Sequence, residues 1–322
     1  MKLIVQIPCF NEGGTIKETI RDIPRKVEGI DRVEILVVND GSTDNTSEVA
    51  KQAGVDHLVE IKENRGLAHA FKAGLSKSIE LGADIVVNTD GDNQYLGDDI
   101  NKLVCPIIQG RAEIVVGCRP ILKHPEFSPF KKLLQLFGSW VLRKASLTEI
   151  PDAASGFRAF SRDACHRLII HSRFSHCMET LIQAGNSGMS VHWTDIRVNS
   201  KTRDSRLFKS VPQYLIKSGS TILFMSALYA PGRFFSFLAI TSFIPAAVLG
   251  IRFLYLHLYD LREPGSYLPS LILLTVFSLS SILFFSLAVV GELLKSHRKL
   301  NEEILYELKK DADSNFAKTK KV

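Results

Sequence analysis

The chain has 322 residues, with 40 Lys and Arg side chains against 34 acidic ones and a net charge of +6. That length allows one large domain or two smaller ones, and the mildly basic balance fits a membrane surface or a phosphate-bearing ligand better than it fits nucleic acid. The five cysteines form no CxxC pair, which disfavours a zinc site or a disulfide framework and indicates a reducing compartment.

Residues 1 to about 210 alternate short β-rich runs with helical stretches such as LAHAFKAGLSKSIELG. Several runs are apolar on both faces, as strands of a parallel sheet covered by helices are. The runs read KLIVQIP, VEILVVND, VDHLVEI, ADIVVNTD, EIVVGCR and VHWTDIRV. This alternation predicts an α/β domain built on βαβ units over residues 1–210. The apolar run LIV near the N-terminus is too short for a signal peptide, so we expect the domain in the cytosol.

The next segment, 211–232, reads VPQYLIKSGSTILFMSALYAPG. Its apolar side chains stand at positions 211, 215, 222, 223 and 229. This spacing suits an amphipathic helix that lies in the interface plane of a membrane. A helix packed on the sheet domain explains the pattern almost equally well.

Two long segments beyond residue 230 carry almost no charge. FFSFLAITSFIPAAVLGI (234–251) is prolonged beyond Arg252, and YLPSLILLTVFSLSSILFFSLAVVG (267–291) follows after a short polar break. Each is long enough to cross the hydrocarbon core, which takes about 20 helical residues. Two helices of a soluble core are the alternative, but the pairing of two such runs disfavours it. We predict a transmembrane hairpin over 233–292, with spans of about 234–258 and 267–291.

Basic residues near the spans predict their orientation, because cytosolic flanks carry an excess of Lys and Arg. The connecting loop DLREPGS has one Arg beside two acids, whereas both outer flanks are basic. The flanking residues are Arg206, Lys209, Lys217, Arg233, Lys295, Arg298 and Lys299. The sheet domain and the C-terminus are therefore expected in the cytosol. The last segment, 293–322, is expected to be a polar tail, and its end, KKDADSNFAKTKKV, is expected to be frayed.

The strand-like run ADIVV leads directly into NTDGDNQY, which places Asp90 and Asp92 two residues apart and Gln94 two further on. Ligands of open α/β sheets bind at the carboxyl ends of strands. Carboxylate and amide oxygens are hard ligands suited to Mg²⁺ or Mn²⁺, which keeps several waters and is completed by substrate phosphates. An acidic turn that caps a helix is the alternative, and this short motif alone does not exclude it.

Three further motifs precede DGDNQ in the chain: PCFNEGGTI, VVNDGSTDNT and NRGLAHAFKAG. In this order the four resemble family 2 glycosyltransferases of the GT-A fold, which use nucleotide-diphosphate sugars. The resemblance covers residues 1 to about 210 and implies a Rossmann-like, mostly parallel sheet. It also implies that the nucleotide sugar, UDP- or GDP-linked, is bound by Pro8, Asn11, Glu12, Asp40, Asn64, Gly66 and Asp90.

A second layer of resemblance narrows the group. IPDAASGFRAFSR (150–162) looks like the D-x-x-S-G-F-R segment of polyprenyl-phosphate glycosyltransferases, the group that contains dolichyl-phosphate mannose synthases. RDSRL (203–207) is similar to their R-x-x-(G)-x-S-K segment, without the Gly and with Arg where Lys is usual. One branch of the group also has two spans after the catalytic domain. The implied ligands of the acceptor phosphate are Arg119, Ser155, Arg158, Arg203 and Arg206.

The resemblance implies an inverting transfer to undecaprenyl or dolichyl phosphate. A metal held by Asp92 and Gln94 would offset the charge that develops on the leaving diphosphate. Asp152 would orient Arg158 or meet sugar hydroxyls. The segment CMET supplies one acid, Glu179, where many members have adjacent acids that serve as a base. A polyprenyl phosphate is already ionised and needs little help from a base.

Other functions remain compatible with the sequence. A hydroxyl acceptor on another lipid or a glycan would require a base and make Glu179 essential. A membrane-anchored nucleotide-sugar sensor would need no turnover, and a transporter subunit would lack an acid inside its two spans. The sequence leaves open the sugar, the nucleotide base, the prenyl length and whether the chain forms a homo-oligomer.

Overall fold

The structure is a computed structural model that describes residues 1–120, 129–170, 176–199, 211–259 and 268–319. The chain divides into two compact units, one of Met1–Ile222 with Glu303–Val322 and one of Leu223–Glu302. The predicted ligands Arg203 and Arg206 lie outside the described residues.

A seven-stranded sheet in the order β3-β2-β1-β4-β6-β5-β7 forms the centre of the first unit. The strands are β1 (Lys2–Cys9), β2 (Arg32–Asp40), β3 (His57–Ile61), β4 (Ile85–Asn88), β5 (Ile114–Cys118), β6 (Arg158–Ser161) and β7 (Val191–Asp195). Strands β1 to β4 pair in parallel, as do β5 and β7, whereas β6 runs antiparallel to both β4 and β5. The predicted mostly parallel α/β sheet is confirmed.

Strand β6 is the one described strand that the sequence analysis did not anticipate. Its four residues, RAFS, form no apolar run and begin with a charged side chain. It lies between β4 and β5, with Arg158 opposite Asn88 and Ser161 opposite Ile85. This position brings the segment that precedes β6 to the carboxyl end of β4.

Helices cover both faces of the sheet. The first unit contains α1 (Ile16–Asp22), α2 (Thr46–Gln52), α3 (Leu67–Glu80), α4 (Ile100–Ile108), α5 (Pro129–Ser146), α6 (Arg162–Arg167) and α7 (His176–Asn186). Alternate side chains of β1 enter opposite cores: Leu3 and Val5 pack with α1 and α4 residues, and Ile4 packs with Phe71 of α3. Burial on both faces explains why these strands read as continuous apolar runs.

Three longer helices follow: α8 (Val211–Tyr229), α9 (Pro231–Leu258) and α10 (Leu268–Thr319). Both α9 and the apolar part of α10 are long and apolar enough to cross a membrane. They expose large apolar side chains such as Ile244 and Leu279, whereas a core helix of a soluble protein would bury them. In this unit the Oγ of Ser281 donates to the carbonyl of Ala239 at 3.0 Å.

Helix α10 also braces the junction between α8 and α9 within the second unit. The guanidinium of Arg298 lies 3.9 Å from the ring centroid of Tyr229 and donates to the carbonyl of Leu228, at the C-terminal end of α8. The carboxylate of Glu292 accepts the N–H of Gly232 at 3.3 Å, in the first turn of α9. Each charge therefore has the sign that the nearby helix end favours.

The end of the polar tail is helical over 309–319, so the expectation that it is frayed was wrong for the described residues. Helix α10 continues without a break to Thr319. Tyr306, Lys309 and Asp313 follow one another at intervals of three and four residues, which places them on one side of the helix. We call these three residues the tail face. The part of the chain from Glu303 onward belongs to the first unit, with the sheet domain.

Every member of the tail face contacts α6. The partners are Asp163 for Tyr306, the carbonyl of His166 for Lys309, and Arg162 for Asp313. The Nζ of Lys309 lies 2.9 Å from its acceptor, and the Nε of Arg162 lies 2.9 Å from the carboxylate of Asp313. The side chain of Asp313 is 15% exposed, so its ion pair is screened less than a surface pair.

Asp313→Asn should loosen the tail, because it removes the negative partner of Arg162. We expect faster amide hydrogen exchange across residues 303–319 of the full chain in detergent, with exchange across the sheet strands unchanged. Glu307→Gln changes the charge of an exposed neighbour and is the matched control. Identical tail exchange in Asp313→Asn and wild type would show that the ion pair does not hold the tail.

Candidate active site

The carboxyl ends of β2, β1 and β4 are adjacent in the sheet, and each carries one of the predicted motifs. Asn11 follows β1, Asp40 ends β2, and Asp90 follows β4. Because these strands are parallel, the three polar segments lie at one edge of the sheet. Three residues that the sequence predicts to bind the nucleotide sugar are thereby brought to the same edge.

Asn11 fixes the turn after β1. Its backbone has a left-handed φ of 55°, a conformation that Asn adopts more readily than most residues. Its N–H donates to the Oγ of Ser42, and its side-chain oxygen accepts the N–H of Thr43, both at 2.8 Å. These bonds tie the loop after β1 to the loop after β2. Pro8 lies within β1 and is buried.

Glu12 joins the end of β1 to the acidic segment. Its N–H donates to Thr46 Oγ1 at 2.8 Å, and its carboxylate accepts from Thr15 Oγ1 at 3.0 Å. The same hydroxyl lies 2.8 Å from the carbonyl of Gly91. A Cβ at position 91 would lie 3.3 Å from both Cys9 and Glu12, so the absence of a side chain lets the acidic turn approach β1 closely.

Asp40 holds the loop that precedes α3. Its two carboxylate oxygens accept the N–H groups of Arg65 at 3.0 Å and Gly66 at 2.8 Å, and the residue is 2% exposed. Gly66 has a φ of 95°, which explains the glycine there. Asn64, on the same loop, is exposed. Contact of Asp40 with a nucleobase or ribose stays a prediction, and the structure gives this residue a loop-holding role in addition.

Asp90 and Asp92 flank Gly91 on a tight turn. The Oδ1 of Asp92 accepts the N–H of Gln94 at 3.2 Å, and Asn93 has a left-handed φ of 55°. Asn199, which lies outside the turn, holds it through two hydrogen bonds. Its N–H donates to the carbonyl of Gln94 at 2.9 Å, and its side-chain amide donates to the carbonyl of Asn93 at 3.0 Å.

The turn changes the ionisation of Asp90. Burial and the neighbouring Asp92 raise the pKa of Asp90 to about 7, while His176 and Arg119 act in the opposite direction. A carboxyl with such a pKa is only partly ionised at neutral pH. A pair of this kind gains most from a divalent cation placed between its members.

The donor atoms at this turn suit one class of cation. Within the part of the chain that the structure describes, no three His, Cys, Asp or Glu side chains group as a metal cage. Asp90, Asp92 and Gln94 offer two carboxylates and one amide oxygen. Such hard oxygen ligands fit Mg²⁺ or Mn²⁺, whose coordination is completed by water and phosphate, and the set lacks the Cys and His ligands typical of zinc sites.

The backbone of Gly156 packs against the carboxylate of Asp90. A Cβ at position 156 would lie 3.1 and 3.2 Å from the two carboxylate oxygens of Asp90. The carbonyl of Gly156 accepts from the side-chain amide of Asn88 at 2.8 Å, and its N–H donates to the hydroxyl of Tyr95 at 3.3 Å. The Tyr95 ring stacks on Phe157 with 5.0 Å between centroids.

Sequence reasoning missed Asn88 and Tyr95. Both were visible as polar groups next to the acids: Asn88 ends the buried run of β4, and Tyr95 directly follows Gln94. Their partner Gly156 lies more than sixty residues away, at an antiparallel strand that the sequence did not reveal.

Arg119 and Asp152 form a buried, bidentate ion pair. The Nε of Arg119 donates to Oδ2 of Asp152 at 2.6 Å and its Nη2 donates to Oδ1 at 3.1 Å. Burial lowers the pKa of Arg119, but the charge and hydrogen bonds of Asp152, together with nearby Tyr95 and Asp90, raise it by more, so Arg119 stays charged. Asp152 therefore orients Arg119, whereas the expectation was that it orients Arg158 or meets sugar hydroxyls. Contact of Arg119 with an acceptor phosphate stays a prediction.

Arg158 lies inside the protein, with 0% exposure, and its donors bond to protein groups. This environment conflicts with its predicted role as a ligand of the acceptor phosphate, because the guanidinium has no open face. Ser155 is also fully buried, and its Oγ accepts the N–H of Phe157 at 3.4 Å. The burial of Ser155 likewise conflicts with a direct phosphate contact.

Glu179 lies in the first turn of α7 and is buried. His176, which the sequence analysis missed, begins the same helix and stacks on Phe71 with 3.9 Å between ring centroids. Burial and the nearby Arg158 lower the pKa of His176 to about 3, so it is neutral at physiological pH. No residue type or spacing around His176 distinguished it in the sequence.

The family follows from these features and from comparison with known proteins. Residues 4–169 match the model described as Glycosyl transferase family 2, a span of more than half of the chain. The chain belongs to this family and is a glycosyltransferase. The resemblance that the four ordered motifs indicated is thereby confirmed.

Its relatives include enzymes named for lipid phosphates. The chain is 33% identical over 208 residues to UDP-N-acetylglucosamine–dolichyl-phosphate N-acetylglucosaminyltransferase of Methanococcus voltae, a match that covers 58% of this chain and 80% of that protein. It is 29% identical over 191 residues to dolichol-phosphate mannosyltransferase of Pyrococcus furiosus, covering 57% of this chain and 53% of that one.

The fold is also found among solved structures. Glucosyl-3-phosphoglycerate synthase from Mycobacterium tuberculosis, in complex with Mn²⁺, UDP-glucose and phosphoglyceric acid, superposes with a TM-score of 0.55 at 20% identity. The match covers 70% of this chain and 80% of that one. This likeness confirms the GT-A-like fold.

Asp40→Asn should destabilise the loop before α3. An Asn side chain can accept only one of the two N–H groups, and its own NH₂ would face the other donor, at a cost of about 1–3 kcal/mol. We expect a lower midpoint of thermal unfolding and faster exchange of the amides at 65 and 66. Glu63→Gln, on the exposed side of the same loop, is the control. Unchanged exchange at those two amides would contradict the loop-holding role.

Proposed function

We propose that the chain transfers a sugar from a nucleotide-diphosphate sugar to a polyprenyl phosphate, undecaprenyl or dolichyl, at the cytosolic face of a membrane. The observation that carries this proposal is the acidic turn of Asp90 and Asp92 at the carboxyl edge of the sheet, which hydrogen bonds from Asn199 hold in place. Its mutual charge repulsion suits a cation that brings donor phosphates with it. Arg119, which is held by Asp152 and influences Asp90, supplies a fixed guanidinium close to this turn.

On the donor side, Asp90, Asp92 and Gln94 would hold Mg²⁺ or Mn²⁺. When bound, such an ion offsets the charge that develops on the leaving diphosphate. The fold neighbour from Mycobacterium tuberculosis, solved with Mn²⁺ and UDP-glucose, supports this assignment. The loops fastened by Asn11 and Asp40 would line the nucleotide, and the name of the Methanococcus voltae relative supports uridine as the base.

On the acceptor side, the names of both relatives support a lipid phosphate. A phosphate monoester is ionised at neutral pH, so the site must supply positive charge more than a base. Arg119 is the described candidate, since Asp152 holds its guanidinium in a fixed orientation. Arg203 and Arg206 are proposed to contribute as well. In-line attack of the lipid phosphate on the anomeric carbon would invert its configuration.

The membrane part of the proposal rests on α9 and α10. Their exposed apolar surfaces support two spans, and the basic flanks support a cytosolic location for the catalytic domain and the C-terminus. We propose a catalytic domain over residues 1–210, an interfacial helix over 211–232 and the transmembrane hairpin over 233–292. A lipid phosphate and a membrane-anchored active site then meet at high effective concentration.

Asp92→Asn should abolish transfer, because the amide loses the charge that a divalent cation requires. The assay uses purified chain in nanodiscs with polyprenyl phosphate and a panel of radiolabelled UDP- and GDP-sugars. EDTA should stop wild-type transfer, and added Mn²⁺ should restore it. Asp98→Asn, an exposed acid six residues away, should retain wild-type turnover. Wild-type turnover by Asp92→Asn would exclude the metal assignment, and transfer to a hydroxyl acceptor alone would exclude the lipid-phosphate assignment.

Gly156→Ala should weaken metal binding, because its methyl group would press on the carboxylate of Asp90. We expect a loss of about tenfold in Mn²⁺ affinity, equivalent to about 1.4 kcal/mol. Titration of Mn²⁺ followed by electron paramagnetic resonance measures this directly, without turnover. Gly138→Ala, where a Cβ would meet nothing within 4 Å, is the control. If Gly156→Ala binds Mn²⁺ with wild-type affinity, Asp90 is not a ligand of the metal.

A further inference from the structure

Arg158 bonds to the segment that precedes its own strand. Its Nε donates to the carbonyl of Ser155 at 2.8 Å, and its Nη2 donates to the carbonyl of Ala153 at 2.9 Å. Two bonds from one planar group fix the path of the chain between these carbonyls and Gly156. Gly156 is the residue whose backbone lies against the carboxylate of Asp90.

The same guanidinium bonds to the beginning of α7. Its Nη1 lies 2.7 Å from the carbonyl of Cys177 and 2.7 Å from the hydroxyl of Thr180. That hydroxyl in turn lies 2.8 Å from the carbonyl of His176. Cys177 and Thr180 stand on either side of Glu179 in the sequence, so these bonds fix the turn of helix that carries this acid.

Burial of a guanidinium is costly, since desolvation of a charge takes several kcal/mol even after relaxation. Its hydrogen-bond acceptors here are three carbonyls and a hydroxyl, which belong to two segments far apart in the sequence. A rigid five-donor fork can reach all of them at once, and a Lys ammonium on a flexible stem cannot. An interaction of this cost and geometry points to a requirement for accurate spacing.

We infer that Arg158 is a positioning residue that sets the gap between the acidic turn at Asp90 and the helix turn that carries Glu179. This inference rests on the proposed function, because that gap is where donor sugar and acceptor would meet. It assigns Arg158 a role in the geometry of the reacting groups and none in direct phosphate binding. A displacement of about 1 Å between such groups can cost about a hundredfold in rate.

The test is the variant Arg158→Lys, assayed in nanodiscs with polyprenyl phosphate and the UDP-sugar that the wild type accepts. We expect kcat to fall about a hundredfold, while KM for polyprenyl phosphate stays within about twofold. Amide exchange should rise in both bridged segments, 152–157 and 176–181. Arg167→Lys, a half-exposed residue on α6, is the matched control and should change neither quantity.

Two outcomes would overturn the inference. A tenfold or larger rise in KM for polyprenyl phosphate at unchanged kcat would make Arg158 a phosphate ligand. Unchanged kcat and KM with only a lower unfolding temperature would make it a purely structural residue. Thr180→Val removes one acceptor while Arg158 is kept, and it should lower kcat in the same direction by less. This variant decides the question if Arg158→Lys does not fold.

Failure of the proposed function gives a different result. If the wild type transfers no sugar to any polyprenyl phosphate, the proposed reaction is wrong whatever the variants do. The exchange measurement then still decides whether Arg158 joins the two segments, because it needs no turnover. Unchanged exchange in both segments of Arg158→Lys would overturn that part of the inference as well.

Discussion

Two carboxylates at the carboxyl end of β4 raise each other's free energy whenever both are ionised, and the rest of the site is arranged around that repulsion. The acids have little freedom to separate. Asn199 fastens their turn from one side, and Gly156 lies against Asp90 on the other. A divalent cation between the acids would offset the repulsion and keep coordination positions open for water and for the phosphates of a donor. The same acids in a flexible loop would move apart, and the site would lose its preference for that cation.

The sheet explains why much of this was predictable. Parallel strands with helices on both faces must be apolar throughout, so β1, β2 and β4 are visible in the sequence as unbroken runs. Their carboxyl ends share one edge, which is why motifs that are tens of residues apart could be assigned to one site. Strand β6 escaped detection because it has four residues and begins with a buried Arg. The contacts of Asn88 and Tyr95 with Gly156 depend on that strand and so could not be predicted either.

The arginines show the limit of motif reasoning. In the sequence, an Arg that binds phosphate and an Arg that holds two loops together look the same, because both need a planar charged fork. Only the contacts of each side chain in the structure distinguish them. Arg119 is held by Asp152 at the site, whereas Arg158 is surrounded by carbonyls and has no exposed surface. The sequence analysis paired Asp152 with Arg158, and the three-dimensional path of the segment 152–158 brings it to Arg119.

The two parts of helix α10 differ in the side chains that they expose and in the contacts that they make. Its first part exposes large apolar side chains such as Leu283 all around, which is stable where hydrocarbon is the solvent. Its last part has charged and polar residues and contacts α6 through the tail face, by hydrogen bonds and an ion pair. A search for apolar periodicity detects the first part and overlooks the second, since polar contacts leave no apolar stripe. The order of the tail is therefore encoded in complementary charge on α6, which becomes recognisable only when the two helices are seen together.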